Sequence, residues 1–150
     1  MILVVGSTGL LGGAITRRLL ATAQPVRILQ RDNPAAQTWI DQGAAAVKGD
    51  LRDRASLDAA CAGVDVVITT AIARFFDGGD FQSVDLQGTK NLIDAAKAAG
   101  LTTAGVIWPA SRGAKTLDWT VPDVFEQELF EKYGTPSLLE EARAAGIPIE

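Results

Sequence analysis

The chain has 150 residues, of which 47% are hydrophobic and 21% charged, and a net charge of −4. This is the composition of a folded chain with one hydrophobic core, so a single domain over residues 1–150 is expected, without a separate substrate domain. The acidic balance argues against a broad nucleic-acid or anionic-membrane surface, no apolar run is long enough to cross a bilayer, and the apolar start lacks a signal peptide's basic leader; a cytosolic protein without nucleic-acid or membrane partners is expected.

Residues 1–5 read as a short apolar strand. It runs into Gly6-Ser7-Thr8-Gly9-Leu10-Leu11-Gly12-Gly13 and then into an amphipathic helix over residues 10–23. Strand, glycines three apart and helix together form a dinucleotide-binding entrance. Gly6 turns the chain at the strand's end, Gly9 leaves room for a pyrophosphate, and Gly12 lets the helix pack closely on the strand. The N–H groups of the first helical turn, at Leu10 and Leu11, face the phosphates, where the helix dipole favours negative charge. Ser7 and Thr8 can offer hydroxyls to the phosphates or stabilise the turn through their own backbone. The helix is expected to turn Leu11, Ile15, Leu19 and Leu20 inward and Arg17 and Arg18 to water.

Strands follow over residues 26–29, 45–47, 64–69 and 106–108, with helices over 35–42, 55–62 and 81–99 between them. Gly43, Gly63 and Gly100 stand where those helices should stop. Such alternation implies right-handed crossovers and an α/β, three-layer, doubly wound parallel sheet of the Rossmann type, with five strands in the order 3-2-1-4-5. Cys61 is the only cysteine; it excludes an internal disulfide and reads as a small buried hydrophobe near a helix end. After Leu101 the composition shifts toward aromatics and prolines. Residues 138–145 read as a helix stopped by Gly146, and Ile147-Pro148-Ile149-Glu150 as the opening of a sixth strand. A chain that stops there is a cofactor-binding half, a truncated or engineered chain, or a small protein with a diverged final third.

The second strand ends in Gln30-Arg31-Asp32. A carboxylate at this tip suits the ribose hydroxyls of NAD, whereas the 2′-phosphate of NADP needs a multidentate cation. Arg31 favours NADP over NAD; Asp32, one residue on, would instead repel the phosphate, and Arg31 can also be read as a solvated loop charge.

The glycine spacing resembles that of the extended and atypical short-chain dehydrogenase/reductase families, especially the NmrA-like and isoflavone-reductase-like groups. Gly49-Asp50-Leu51 with Asp53 and Ser56-Leu57, the run Ala62-Gly63-Val64-Asp65-Val66-Val67, and the segment from Val84 to Ala96 are similar to that family's following elements in order. The resemblance covers residues 1 to about 100. It implies that Arg31 contacts the 2′-phosphate, that Asp50 hydrogen-bonds the adenine amine while Leu51 packs on the ring, and that Thr69, Thr70 and Ala71 border the pyrophosphate and nicotinamide ribose. Asp50 can also be read as a turn cap.

The catalytic pattern departs from the family. Short-chain reductases commonly pair a tyrosine with a lysine four residues later, which holds down the phenol's pKa. The single tyrosine, Tyr133, is followed by Gly134-Thr135-Pro136-Ser137. Ser111 lies in a turn similar to one in isoflavone-reductase-like members, but Glu128 occupies the position nearest their lysine. Lys132 and Lys115 read as surface charges, with Lys132 the stronger of the two as a catalytic candidate. Without histidine, a histidine base and the commonest metal ligand are absent, and no metal site is expected. Two function classes stand: an NADP(H)-dependent reductase of a small carbonyl, enone or quinone, and a noncatalytic dinucleotide sensor; a Rossmann scaffold without ligand is the third reading. The sequence leaves the substrate and self-association into a homo-oligomer open.

Overall fold

A computed structural model describes residues 1–73, 78–102, 104–106, 118–121 and 134–146. The chain divides into two compact units, Met1–Leu101 and Thr102–Glu150. The division falls at the composition shift.

The first unit holds strands β1 (Ile2–Val5), β2 (Val26–Gln30), β3 (Ala45–Lys48) and β4 (Val66–Thr69) in one parallel sheet, in the order β3-β2-β1-β4. Val4 stands beside Ile28 on one side and Ile68 on the other. Because side chains alternate along a strand, β1 feeds two cores. Val4 joins Val26, Ile28, Ala36, Trp39 and Ala44 on one face. Leu3 and Val5 join Leu57, Ala60, Cys61, Leu92 and Ala95 on the other. Helices α1 (Leu10–Ala21) and α2 (Gln37–Asp41) cover the first face, α3 (Arg54–Cys61) and α4 (Thr89–Ala98) the second. This is the three-layer, doubly wound arrangement expected, and Cys61 is fully buried within it, its thiol pushed up by that burial and by Asp58.

Helix ends are closed by the side chains placed there. Asn33 accepts from the Ala35 N–H at 2.9 Å and opens a 3₁₀ turn, Pro34–Ala36, ahead of α2. Asp53 accepts from the Ala55 N–H at 3.1 Å at the start of α3. At the other end of α3, Arg27 reaches from β2 and donates to the Ala60 and Ala62 carbonyls, each at 2.8 Å. The stops expected at Gly43, Gly63 and Gly100 all have positive φ.

Four details differ from expectation. In α1 the buried residues are Gly12, Gly13 and Thr16, while Leu11 is 63% exposed and only Leu19 and Leu20 pack against the core. The helix lies so close to the loop before it that only its small residues fit underneath. The long helix expected over 81–99 is wound as a π-helix over Phe81–Gly88 and becomes α-helical only in α4. Its start carries a reciprocal cap between Asp80 and Ser83. At its end Gly88 lies against Leu51, where an added Cβ would come within 2.8 Å of the leucine's own. In the second unit, β5 (Ala104–Val106) pairs in parallel with β6 (Trp119–Val121), a strand not anticipated. The sheet of the first unit therefore has four described strands, where five were expected; the fifth strand, expected over 106–108, is found as β5 at Ala104–Val106 in the second unit, earlier because Ala104 and Gly105 carry little apolar side chain to mark its start. Helix α5 (Pro136–Ala144) matches the one expected near there, whereas the sixth-strand segment 147–150 lies outside the described residues. No helix among the described residues is long and apolar enough to cross a membrane.

Candidate dinucleotide site

Parallel strands all deliver their carboxyl ends to one edge of the sheet, and the order 3-2-1-4 reverses the chain's direction of travel between β1 and β4. Crevices form at such switch points. Here a cavity of about 560 Å³ opens there, walled by the loop after β1, the tips of β2 and β3 and the segment after β4.

The loop after β1 is built by two close approaches. Gly6 turns with φ +91°, a conformation side chains resist, and the Gly9 N–H donates to its carbonyl at 3.0 Å. Gly12 sits directly on that same carbonyl, and an added Cβ would overlap the Gly6 oxygen and lie 2.6 Å from the Thr70 hydroxyl. Gly9 is the N-cap of α1 and supplies no side-chain bond, so the first N–H groups of the helix keep their donors uncapped by side chains. Beneath the loop, the Trp39 indole N–H donates to the Ser7 carbonyl at 2.9 Å, and Arg17 lies over the same ring, 5.8 Å from its centre. Trp39 thus carries the loop from below.

The tips of β2 and β3 carry the charge. The Asp50 carboxylate accepts two bonds from the Arg52 guanidinium, at 2.9 and 2.7 Å, and one from the Arg52 backbone N–H at 2.8 Å. Arg31 stands 3.8 Å from Oδ2, the oxygen that accepts the 2.7 Å bond. The Arg52 hydrogen bond, aided by both guanidinium charges, holds Asp50 below the usual carboxylate range against the opposing effect of its burial. Arg52 also donates to the Gly78 carbonyl at 3.2 Å, which ties the β3 tip to the segment leading into the π-helix. Asp32, whose charge threatened to repel a phosphate at Arg31, has φ +44° and is paired with Lys48.

Of the residues expected to bind cofactor, Gly6, Thr8, Gly9, Arg31, Asp50, Leu51, Thr70 and Ala71 line the cavity. Thr8 also accepts weakly from Asn33, at 3.4 Å. The others stand elsewhere. Ser7 is 1% exposed beneath the loop, and its hydroxyl has no hydrogen-bond partner among the described residues. Gly12 acts under the loop, Leu10 is 96% exposed, and Thr69 is exposed with its hydroxyl near the Ala71 N–H. Leu51 is 6% exposed and belongs to the core as much as to the cavity floor. The catalytic candidates Ser111, Lys132 and Tyr133, with Lys115 and Glu128, lie outside the described residues. Arg52 and the Ala73 N–H, held by the Asp85 carboxylate at 3.0 Å, were not anticipated at the cavity. Arg52 follows Asp50-Leu51 directly, and a cation two residues from a strand-tip carboxylate was the available signal.

Residues 1–124 match the family model described as the NmrA-like family. The chain is 43% identical over 97 residues to a photosystem II assembly factor of Cyanophora paradoxa, which spans 65% of this chain and 30% of that protein. Among solved structures, a short-chain dehydrogenase/reductase superfamily protein from Agrobacterium tumefaciens with bound NAD superposes with a TM-score of 0.57 at 32% identity, over 71% of this chain and 31% of that one. The NADPH-dependent quinone oxidoreductase of Escherichia coli, complexed with NADPH, superposes with a TM-score of 0.56 at 25% identity, over 95% of this chain and 45% of that one. The chain thus spans less than half the length of each of these proteins. With the glycine loop, the switch-point cavity and the family match in agreement, the chain belongs to the NmrA-like family.

Proposed function

We propose that this chain binds NADP(H) in the switch-point cavity and serves as the dinucleotide-binding part of a reductase acting on a small carbonyl, enone or quinone. The observation that carries the reading is the combination at one cavity of a glycine-rich loop and a cation at the β2 tip. Gly6 and Gly9 put bare backbone on the wall beside Thr8, as close approach of a pyrophosphate requires, and Gly9 on that wall is the N-cap of α1, whose first N–H groups no side chain caps. Arg31 would meet the 2′-phosphate, and Leu51 the adenine. Thr70 and Ala71 would border the nicotinamide ribose. A bound nicotinamide supplies or accepts a hydride. The quinone oxidoreductase of known structure supports the substrate class. A cytosolic site of action belongs to the same reading.

A second reading, a sensor that binds the dinucleotide without turnover, is favoured by one observation: position 137 is Ser137, so Tyr133 lacks a lysine four residues on. A positioned acid contributes about 10²–10⁴ in rate, so turnover by this chain alone should be weak or absent. Titration with NADPH and NADH, followed by cofactor oxidation across a quinone and enone panel, tests both. Binding is expected in wild type and should vanish in Gly9→Val, whose side chain enters the cavity wall; a Gly9→Val protein that binds normally rejects the loop assignment. Steady oxidation lost on Lys132→Ala or Tyr133→Phe with binding intact would reject the sensor.

A further inference from the structure

We propose that Arg52 is the adenine platform of this cavity and that Asp50 acts as the positioning residue that holds it there; the proposal rests on the dinucleotide reading above. Resemblance assigns the adenine to the Asp50 carboxylate. The geometry gives that carboxylate other work. Its Oδ1 accepts both the Arg52 backbone N–H at 2.8 Å and the Arg52 Nε at 2.9 Å, and its Oδ2 accepts Arg52 Nη2 at 2.7 Å with Arg31 3.8 Å away. A carboxylate oxygen accepts about two hydrogen bonds, so Oδ1 is filled by Arg52, while Oδ2 accepts one bond from Arg52 and stands in ion-pair range of Arg31.

Arg52 is correspondingly fixed. Its fork lies on Asp50, and Nη1 donates to the Gly78 carbonyl across the cavity rim at 3.2 Å. Bonds of this kind run in the plane of the guanidinium, whereas an aromatic ring is stacked by its face, so the two uses do not compete. The side chain is 39% exposed and lines the cavity next to Leu51, which gives a flat cation beside an apolar floor. Nucleobases stack on arginine planes in this way. Arg31 and Arg52 then divide the adenosine end between them: Arg31 takes the 2′-phosphate and distinguishes the two cofactors, while Arg52 takes the ring and treats them alike.

The test measures dissociation constants for NADPH, NADH and 5′-AMP by calorimetric titration of wild type, Arg52→Lys and Asp50→Asn, with thermal melts of each. Arg52→Lys keeps the charge and loses the plane. All three ligands should weaken together, by roughly 3- to 30-fold for the loss of a cation–π contact. Asp50→Asn should weaken NADH and 5′-AMP in parallel and by less than Arg52→Lys does, because Arg52 remains but is held less firmly. Arg52→Lys that binds like wild type overturns the proposal, as does a loss confined to NADPH, which would make Arg52 a phosphate ligand. Loss in Asp50→Asn beside an unaffected Arg52→Lys returns the adenine to the carboxylate and also overturns it. Wild-type protein that binds none of the three overturns the dinucleotide reading, and this proposal with it.

Discussion

At the scale of single residues, the roles proposed for Arg31 and Arg52 around Asp50 make the choice of cofactor testable. Arg31→Ala should weaken NADPH by roughly ten- to a hundredfold, the worth of a charge-assisted hydrogen bond, and leave NADH nearly unchanged. Paired titrations check this, and equal losses for both cofactors would remove Arg31 as the discriminator. The place of Arg31 at the cavity was legible because it follows the second strand directly, and the carboxyl ends of parallel strands face the switch-point crevice. Asp32 was legible only as a threat to phosphate binding; its pairing with Lys48 depends on β3 lying beside β2, a contact across the sheet that local sequence does not state. Ser7 was read with two roles, a hydroxyl for phosphate or a backbone hold on the turn; its hydroxyl is buried, and its carbonyl accepts from an indole 32 residues away in sequence.

At the scale of elements, the strand–loop–helix unit at the start was readable from glycine spacing, because Gly6 and Gly12 answer steric demands that no other residue meets. What holds the unit up was not readable. Trp39 sits on α2, packs with Val4 and Ile28 under the sheet, and passes its single N–H to the loop. Trp39→Phe keeps an aromatic body and orphans the Ser7 carbonyl, so it should cost about 1–3 kcal/mol of stability and weaken NADPH binding through a loosened loop. Denaturant unfolding with and without cofactor checks this; unchanged stability would show that water replaces the indole at that carbonyl. The π-helical winding of Phe81–Gly88 was likewise hidden, since apolar spacing over eight residues does not distinguish 3.6 from a wider turn. Its contacts explain it better than its sequence does: Asp85 reaches back to the Ala73 N–H, Gly88 closes on Leu51, and Asn91 donates to the Leu51 carbonyl at 2.9 Å.

At the scale of the whole molecule, every described residue of the cavity lies in Met1–Leu101, so the binding energy of a dinucleotide enters the chain through that unit. We propose that the two units nevertheless unfold together as one domain. Thr102–Glu150 is smaller than the roughly 60 residues at which an isolated fold is already marginal, and it has no disulfide to compensate. Scanning calorimetry should then show one transition. NADPH at about 100 times its dissociation constant adds about 2.7 kcal/mol to the folded state, which for a chain of this length raises the melting temperature by roughly 5–10 °C. Trp39 belongs to the first unit and Trp108 and Trp119 to the second, so Trp39→Phe in one sample and Trp108→Phe with Trp119→Phe in another let fluorescence follow each unit separately. Both signals should shift by the same amount when cofactor is added at the same multiple of each variant's own dissociation constant. A Trp108 and Trp119 signal that melts at its own temperature, unmoved by NADPH, would divide the chain into two independently folding domains.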